Sequence, residues 1–407
     1  MSTEERNLMM KDVEMDRRSL MRGAVGLGGL GLAAQMSPLA AMGASDPERT
    51  LVVIQLAGGN DGLNTVVPFE EDVYHQARPV LRVKPKSVLK LDEYRGFSPY
   101  LPKLHKRYMD GGLAIIEGVG YPNPNRSHFK SFDIWHAASL AGKSSADGWV
   151  GRLMQARYGD EVMANRVVHM GDSLPYSVHS GKHPAAAFSS PAAYRWVNGG
   201  PATDEMERPK EAEREALAFL RKSMGAARAS SVALRSTAAR YQTPIEYPEE
   251  PLGNSLRNCA AIIESGIGTR VLSVELGEFD THNNQALRHR ELLSTLDACL
   301  SPFLDDLKRS EAGRKTMVLV FSEFGRRVAE NASGGTDHGC AGPLFVAGHD
   351  VRPGLYGEHP SLTDLQDGDL IFNTDFRSVY ATAIESCFGV PSKLVLGEEF
   401  PLLPLLG

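Results

Sequence analysis

The sequence predicts an α/β fold built on a doubly wound, mainly parallel sheet with a helical insertion. Short runs that are apolar throughout are typical of strands covered on both faces. Longer amphipathic segments alternate with these runs, as crossover helices do in parallel sheets. Polar residues also follow the predicted strand ends, which is where such sheets place their ligands.

Five segments have the composition of buried strands. Each is a run of Val, Ile, Leu or Phe, and most are bounded by glycine. The predicted strands are 49–59, 111–120, 269–279, 315–324 and 342–348.

Three further segments have helical patterns, at 127–141, 283–310 and 374–389. Ser127 could cap the first of these helices, and Gly389 is a typical helix terminator. A charged, Ala-rich stretch within about 204–266 predicts a helical insertion on a single domain spanning 46–407.

The first 45 residues have the layout of a twin-arginine export signal. Arg17 and Arg18 precede a weakly apolar run of Gly, Ala and Leu, and small residues follow up to Ala44. Glycine interrupts the run too often for a good membrane helix, although a retained anchor is the alternative. The pattern predicts a periplasmic or extracellular protein with no integral membrane span once the signal is removed. Because this pathway exports folded proteins, it also favours a metal or another inserted group.

Composition excludes several classes of protein. The net charge of -6 argues against a general nucleic-acid binder and against a polybasic membrane patch. The four cysteines form no CxxC pair and therefore predict neither a disulfide scaffold nor a zinc ribbon. Cys259, Cys299 and Cys387 are expected to be small buried residues, whereas Cys340 lies close to an Asp-His pair.

Carboxylates and imidazoles gather at the predicted strand ends, as a divalent cation requires. Each motif alone is weak, since an isolated Asp-x-His is more often a turn and Asp61 could equally cap an Asx-turn. Their shared position at one sheet edge makes the combination more specific. The candidate metal ligands are Asp61, Asp280, His282, Glu323, Asp337 and His338.

Several of these segments together resemble a known family. The segments "GGNDGLNT", "NRSHFKSFDIWHA", "FDTHNNQ", "SEFGR", "GGTDHG" and "TDFRSVYATAI" look like those of the DUF1501 family of exported bacterial proteins, which is grouped with the alkaline phosphatase and sulfatase superfamily. The likeness covers nearly all of the chain after the signal. It implies an alkaline phosphatase-like fold and a metal-assisted hydrolytic centre.

The resemblance also implies roles for single residues. Asp61 would bind one metal, whereas Asp280, His282 and His338 would bind another. Ser127, at a helix N-terminus that favours anions, would be the nucleophile, with Thr65 in reserve. His128 or Arg326 would stabilise charge on the transferred group. For His128 a buried structural role, and for Arg326 a surface position, are the alternatives.

The sequence departs from the superfamily at two points. Where the phosphatases have an Asp-His pair after a strand, this chain has Glu323 and Phe324. Phe324 cannot bind a metal, so one of two ions is expected to be weakly held or absent unless Asp337 or Cys340 compensates. Ser127 also does not lie in the sulfatase signature that conversion to formylglycine requires, so this conversion is not expected.

The expected function is therefore an exported metal-dependent hydrolase of phosphate or sulfate esters, acting on a small molecule or a glycan. Zinc is the first expected ion, with calcium, magnesium and manganese as alternatives. A non-catalytic binding protein of the same fold, recognising a surface glycan or an exported protein partner, is the second hypothesis. A glycosidase using Glu278 and Asp280 is disfavoured because the two carboxylates are too close in sequence.

Overall fold

Nine strands form one mixed sheet through the centre of the protein. The computed structural model describes residues 49–142, 146–191, 194, 225 and 228–406. The predicted signal at 1–45 and most of 204–227 lie outside the described residues. The strands of this sheet are β1 (Thr50–Leu56), β2 (Leu113–Gly120), β3 (Val167–Met170), β4 (Ala186–Phe188), β5 (Val271–Leu276), β6 (Thr316–Phe321), β7 (Gly342–Gly348), β8 (Gly354–Tyr356) and β9 (Thr374–Asp375).

The strand order is β8-β2-β7-β6-β1-β5-β3-β4, and β9 pairs with β2. All neighbouring pairs are parallel except those of β7, which runs antiparallel to both β2 and β6. The short strands Val66–Val67, Leu89–Lys90 and Gly96–Phe97 form a separate sheet, and Leu365–Gln366 pairs with Asp369–Leu370.

Helices cover both faces of the main sheet. Alternate residues of β1 point to opposite faces, so Val52 and Ile54 belong to one core and Leu51 and Val53 to the other. The helices are α1 (Asp72–Ala77), α2 (Pro102–Met109), α3 (His128–Ala137), α4 (Trp149–Tyr158), α5 (Pro251–Ser265), α6 (Gln285–Leu307), α7 (Glu311–Arg314), α8 (Phe376–Phe388) and α9 (Lys393–Leu396). Helices α2, α5 and α6 pack in the first core, and α3, α4 and α8 in the second. The predicted doubly wound α/β fold is confirmed.

All five predicted strands and all three predicted helices are present, each shorter by a few residues at one or both ends except for β7. The described part of the predicted insertion is helical at 228–240 and in α5. Leu252 and Leu256 of α5 are buried in the first core. The three cysteines expected to be small and buried are indeed buried and free.

The direction of β7 decides where the connecting loop 322–341 lies. The loop leaves the carboxyl end of β6 and enters the amino end of the antiparallel β7, so both of its ends lie at the same edge of the sheet. Gln55 of β1 pairs with Phe321 of β6, and Leu56 pairs with Leu276 of β5, so these three strands end level with one another. The polar residues after β1, β5 and β6 therefore meet.

No helix within the described ranges is both long enough and apolar enough to cross a bilayer.

Candidate metal centre

Glycines allow the loops at this edge to come into contact. Gly58, after β1, has a φ of +121°, and a Cβ at this position would lie 2.4 Å from the backbone nitrogen of Asp280. A Cβ at Gly335 would lie 2.2 Å from the carbonyl carbon of His282. Any larger residue would push the loop after β5 away from its two neighbours.

Three ligand atoms converge where these loops meet. His128, Asp280 and His338 each offer a nitrogen or oxygen within 4.8 Å of the other two, the one such group of three found among the described residues. The Nε2 atom of His338 lies 3.0 Å from Oδ1 of Asp280, and Nε2 of His128 lies 3.6 Å from Oδ2. Two imidazoles and one carboxylate form a typical zinc ligand set.

The hydrogen bond at the other ring nitrogen of His338 determines its tautomer. Nδ1 lies 2.7 Å from the backbone carbonyl of Arg126, and because a carbonyl can only accept, Nδ1 must donate. Burial lowers the pKa of His338, which favours the neutral ring. Its Nε2 then presents a lone pair to the Asp280 carboxylate. A cation between the two would remove their repulsion.

His128 is held in the same way, by a carboxylate. Its Nδ1 lies 2.7 Å from Oε1 of Glu323, which is fully buried and also accepts the backbone N–H of Gly58 at 2.9 Å. The hydrogen bond to Glu323 raises the pKa of His128, because the carboxylate makes the ring more basic. Nε2 of His128 is buried and has no hydrogen-bond partner in the described structure. Glu323 is predicted as a ligand from the sequence, but in the structure it binds Nδ1 of the candidate ligand His128 and orients that ring. Carboxylates commonly do this beside metal-bound histidines.

Asp280 is the anionic member of the group. Partial burial acts to raise its pKa, but the hydrogen bond from Arg326 and the positive charge of that guanidinium hold the pKa at about 2. The carboxylate is therefore charged at neutral pH. His282 adjoins it, with Nδ1 at 2.8 Å from Oδ1 of Asp280 and its ring 4.6 Å from that of His338.

Arg326 is a buried residue that holds Asp280 and the neighbouring loops in place. The side chain is 1% exposed, and Nη2 donates to Oδ1 of Asp280 at 2.7 Å. Nε donates to the carbonyl of Gly59 at 2.7 Å, and Nη1 donates to that of Thr336 at 2.8 Å. The sequence-based expectation that Arg326 stabilises charge on the transferred group, or else lies at the surface, is therefore corrected. The buried guanidinium joins the loops after β1, β5 and β6.

Asp61 is not brought into the group of three. Its fully buried carboxylate pairs with Nη1 of Arg78 at 2.6 Å and accepts a short hydrogen bond from Gln285. Burial acts to raise the pKa of Asp61, but the charge of Arg78 outweighs burial and lowers it. Because Arg78 already neutralises the carboxylate, a cation has no electrostatic reason to bind there. Asp337 also lies apart, as an exposed residue whose side chain accepts from Asn331 at 3.1 Å.

The two hydroxyls considered as nucleophiles have different surroundings. Ser127 is exposed at the N-terminus of α3, directly before His128, and makes no capping hydrogen bond with its side chain. Thr65 is buried and donates to the carbonyl of Asp61 at 2.7 Å. Only Ser127 is accessible to a substrate.

Phe324 and Cys340 complete the surroundings of the centre. The Phe324 ring is buried, and its centroid lies 4.8 Å from those of both His128 and His338. An apolar ring therefore packs against both imidazoles of the group of three. Burial raises the pKa of Cys340 to about 12, and its Sγ lies 3.1 Å from Asp369. As a neutral thiol, Cys340 does not replace a missing ligand.

Gln285 is a positioning residue that sequence reasoning missed. Its Nε2 donates to Asp61, and its Oε1 accepts from Thr281 at 3.1 Å and from Thr336 at 2.6 Å. Thr281 lies between Asp280 and His282, and Thr336 lies two residues before His338. The amide therefore ties both ligand-bearing loops together. The quoted motif "FDTHNNQ" contains Gln285, but an amide carries no ligand signature that would single it out.

Similarity to proteins of known structure is distant. A protein in the alkaline phosphatase superfamily from Vibrio parahaemolyticus is 11% identical, with a TM-score of 0.36 over 76% of this chain and 62% of that chain. A sulfatase from Pseudoalteromonas sp. is 11% identical, with a TM-score of 0.40 over 88% and 72% of the two chains. The lipoteichoic acid synthase LtaP from Listeria monocytogenes is 10% identical, with a TM-score of 0.40 over 86% and 76%.

No curated protein matches the sequence. One family model does match, over residues 114–382, which include α3, β5, β6 and the loop that carries His338. On this match the chain belongs to the family described as protein of unknown function DUF1501.

Proposed function

We propose that this protein is a metal-dependent hydrolase of phosphate or sulfate esters that holds one divalent ion. The observation that carries the proposal is the convergence of Nε2 of His128, Nε2 of His338 and the Asp280 carboxylate. Both Nδ1 atoms already have hydrogen-bond acceptors, so both Nε2 lone pairs are available to a cation. Zinc suits this mixture of imidazole and carboxylate better than calcium or magnesium, which prefer oxygen ligands.

Three protein ligands leave a coordination position open, as in catalytic rather than structural zinc sites. His282, which adjoins Asp280, would be a fourth candidate ligand. A bound divalent ion supplies Lewis acidity, which polarises an ester oxygen and lowers the pKa of a hydroxyl or water. Glu323 and the carbonyl of Arg126 retain the Nδ1 protons of the two histidines. Arg326 keeps Asp280 charged and in place.

Ser127 is the proposed nucleophile because of its position. It is exposed and immediately precedes a candidate ligand, at the start of a ten-residue helix. The free N–H groups and the dipole of a helix N-terminus attract an anionic ester. The hydroxyl would attack the phosphorus or sulfur, displace the alcohol and form a covalent ester that water then hydrolyses.

Metal analysis of the folded protein, combined with aryl phosphate and aryl sulfate assays, tests this proposal. We expect one ion per chain, hydrolysis of at least one substrate class, and loss of turnover in Ser127→Ala with the metal retained. An ion bound without any turnover would contradict the proposal.

Non-catalytic binding of a surface glycan or an exported protein partner is the second candidate function. It is favoured by the absence of a side-chain capping hydrogen bond at Ser127, because no such contact orients the hydroxyl for attack. Binding of metal and ligand without turnover in the unchanged protein, with no loss of ligand binding in Ser127→Ala, would support it.

Export by the twin-arginine pathway is proposed from the sequence. Replacing Arg17 and Arg18 by lysine should leave the protein in the cytoplasm, as measured by cell fractionation. Equal export of the variant would contradict the assignment.

A further inference from the structure

Two arginines beside the metal centre share one buried carboxylate. Asp369 is fully buried, and its Oδ2 accepts from Nε of Arg126 at 2.6 Å. Nε of Arg327 lies 3.4 Å from Oδ1 of the same carboxylate. Cys340 also donates its S–H to Asp369, so this residue adds no charge. The cluster therefore carries one surplus positive charge.

The arginine side chains remain accessible, although their partner is not. Arg126 and Arg327 are 38% and 35% exposed, whereas Asp369 is 0% exposed. Nε of Arg327 is buried and makes no hydrogen bond within the described structure. Two guanidinium groups carry about ten N–H donors, and one carboxylate can accept about four. Asp369 thus anchors both groups and leaves most of their donors for another anion.

Both arginines are next in sequence to residues of the metal centre. Arg126 precedes Ser127 and His128, and its carbonyl accepts the Nδ1 proton of His338. Arg327 follows Arg326, which holds Asp280. The backbones of both arginines therefore adjoin the candidate metal centre, and Asp369, which holds their side chains, also accepts from Cys340, two residues after His338.

We propose that Arg126 and Arg327 form a second anion-binding subsite, which takes an oxyanion near the scissile ester. The inference rests on the proposed hydrolase function and narrows its substrate class. The preferred substrate carries two or more anionic groups, as a bisphosphate or a multiply sulfated chain does. Guanidinium groups suit this role because their planar donors match the oxygens of phosphate and sulfate.

The test compares ligands with one and two anionic groups on the zinc-loaded full-length protein. Propanesulfonate serves as the first, and ethane-, propane- and butanedisulfonate as the second, because sulfonates are not hydrolysed and bind zinc weakly. We expect at least one disulfonate to bind about tenfold more tightly than propanesulfonate by calorimetry. Arg327→Gln and Arg126→Gln should each reduce this advantage, and the double variant should abolish it.

Arg352→Gln, which removes an exposed arginine elsewhere, is the matched control and should leave the advantage unchanged. Arg327→Lys keeps the charge without the planar donors and should retain part of the binding advantage. Thermal unfolding checks that each variant is folded.

The outcomes separate the two proposals. If propanesulfonate binds and no disulfonate binds more tightly, or if the advantage survives in the double variant, the subsite is rejected and the hydrolase proposal stands. If zinc binds but neither kind of sulfonate does, the subsite is rejected, and the aryl phosphate and aryl sulfate assays decide the hydrolase proposal separately.

Discussion

His338 faces Asp280 with the nitrogen that carries no proton. Nε2 of His338 lies 3.0 Å from Oδ1 of Asp280, while Nδ1 donates to a backbone carbonyl. In this orientation the lone pair of the neutral imidazole faces the negatively charged carboxylate. The two repel each other unless a cation lies between them. This relationship is the strongest physical reason to expect an ion at the centre.

Removing this imidazole should weaken metal binding. We expect His338→Ala to lower zinc affinity at least a hundredfold, because one of three protein ligands is lost. Competition with a chromophoric chelator measures the affinity. His349→Ala is the control, because His349 is exposed and outside the group of three. Equal affinities in the two variants would remove His338 from the site.

Glu323→Gln should reduce zinc affinity about 10- to 100-fold, as is usual when the partner behind a metal-bound histidine is changed. Glutamine can still accept the Nδ1 proton of His128 but supplies no charge. The same chelator competition applies, with Glu311→Gln as the control, since Glu311 forms an exposed pair with Lys315. An unchanged affinity would show that Glu323 does not act through His128.

The buried pair of Asp61 and Arg78 should matter for stability. Both side chains are 0% exposed, so Arg78→Leu would leave a carboxylate buried without its partner. We expect a loss of about 3–5 kcal/mol in the free energy of unfolding, measured with urea. Lys106→Ala breaks the exposed pair with Asp110 and should have a much smaller effect, because solvent screens an exposed ion pair. Similar losses in both variants would contradict this account.

Gln285→Leu should weaken metal binding even though Gln285 is not itself a candidate ligand. The variant breaks the link between Thr281 and Thr336, which holds the two ligand-bearing loops together. We expect zinc affinity to fall about tenfold or more, together with a stability loss of about 1–3 kcal/mol. Thr382→Val, which removes a buried hydroxyl bonded to Ser378, controls for the loss of stability alone. If both variants bind zinc equally well, Gln285 has no positioning role.

Stability should fall as the solution is acidified below about pH 6.5, in part because of His169. Burial lowers the pKa of His169 from 6.5 to about 4 and outweighs the hydrogen bond with Ser273, which acts to raise it. The unfolded chain therefore binds this proton more readily between those two pH values. The part of the free energy of unfolding that depends on neutral His169 is fully present above pH 6.5 and is lost toward pH 4, at about 1.4 kcal/mol per pH unit. Urea unfolding between pH 7 and 4.5 measures the slope, which should be shallower in His169→Gln. An identical slope would mean that His169 is not the titrating group.

The candidate site was only partly predictable from the sequence. The sequence predicts Asp280 and His338 as candidate ligands because they follow strand ends, a position that hydrophobic patterning reveals. His128 was expected to stabilise charge instead, since its place beside the centre depends on how α3 packs. Asp61 has the same local signature as Asp280, and no local pattern indicates that Arg78 neutralises it.

The sequence by itself determined the strands, the long helices and the edge of the sheet at which polar residues gather, because burial periodicity and glycine boundaries are local properties. Only the tertiary structure decided which of those residues can share an ion. That choice depends on the antiparallel direction of β7, which places the loop carrying His338 at the edge of the sheet where β1, β5 and β6 end. It depends equally on the contacts of Arg326 and Gln285 between distant loops, because hydrogen bonds between residues far apart in the chain leave no periodic trace in the sequence.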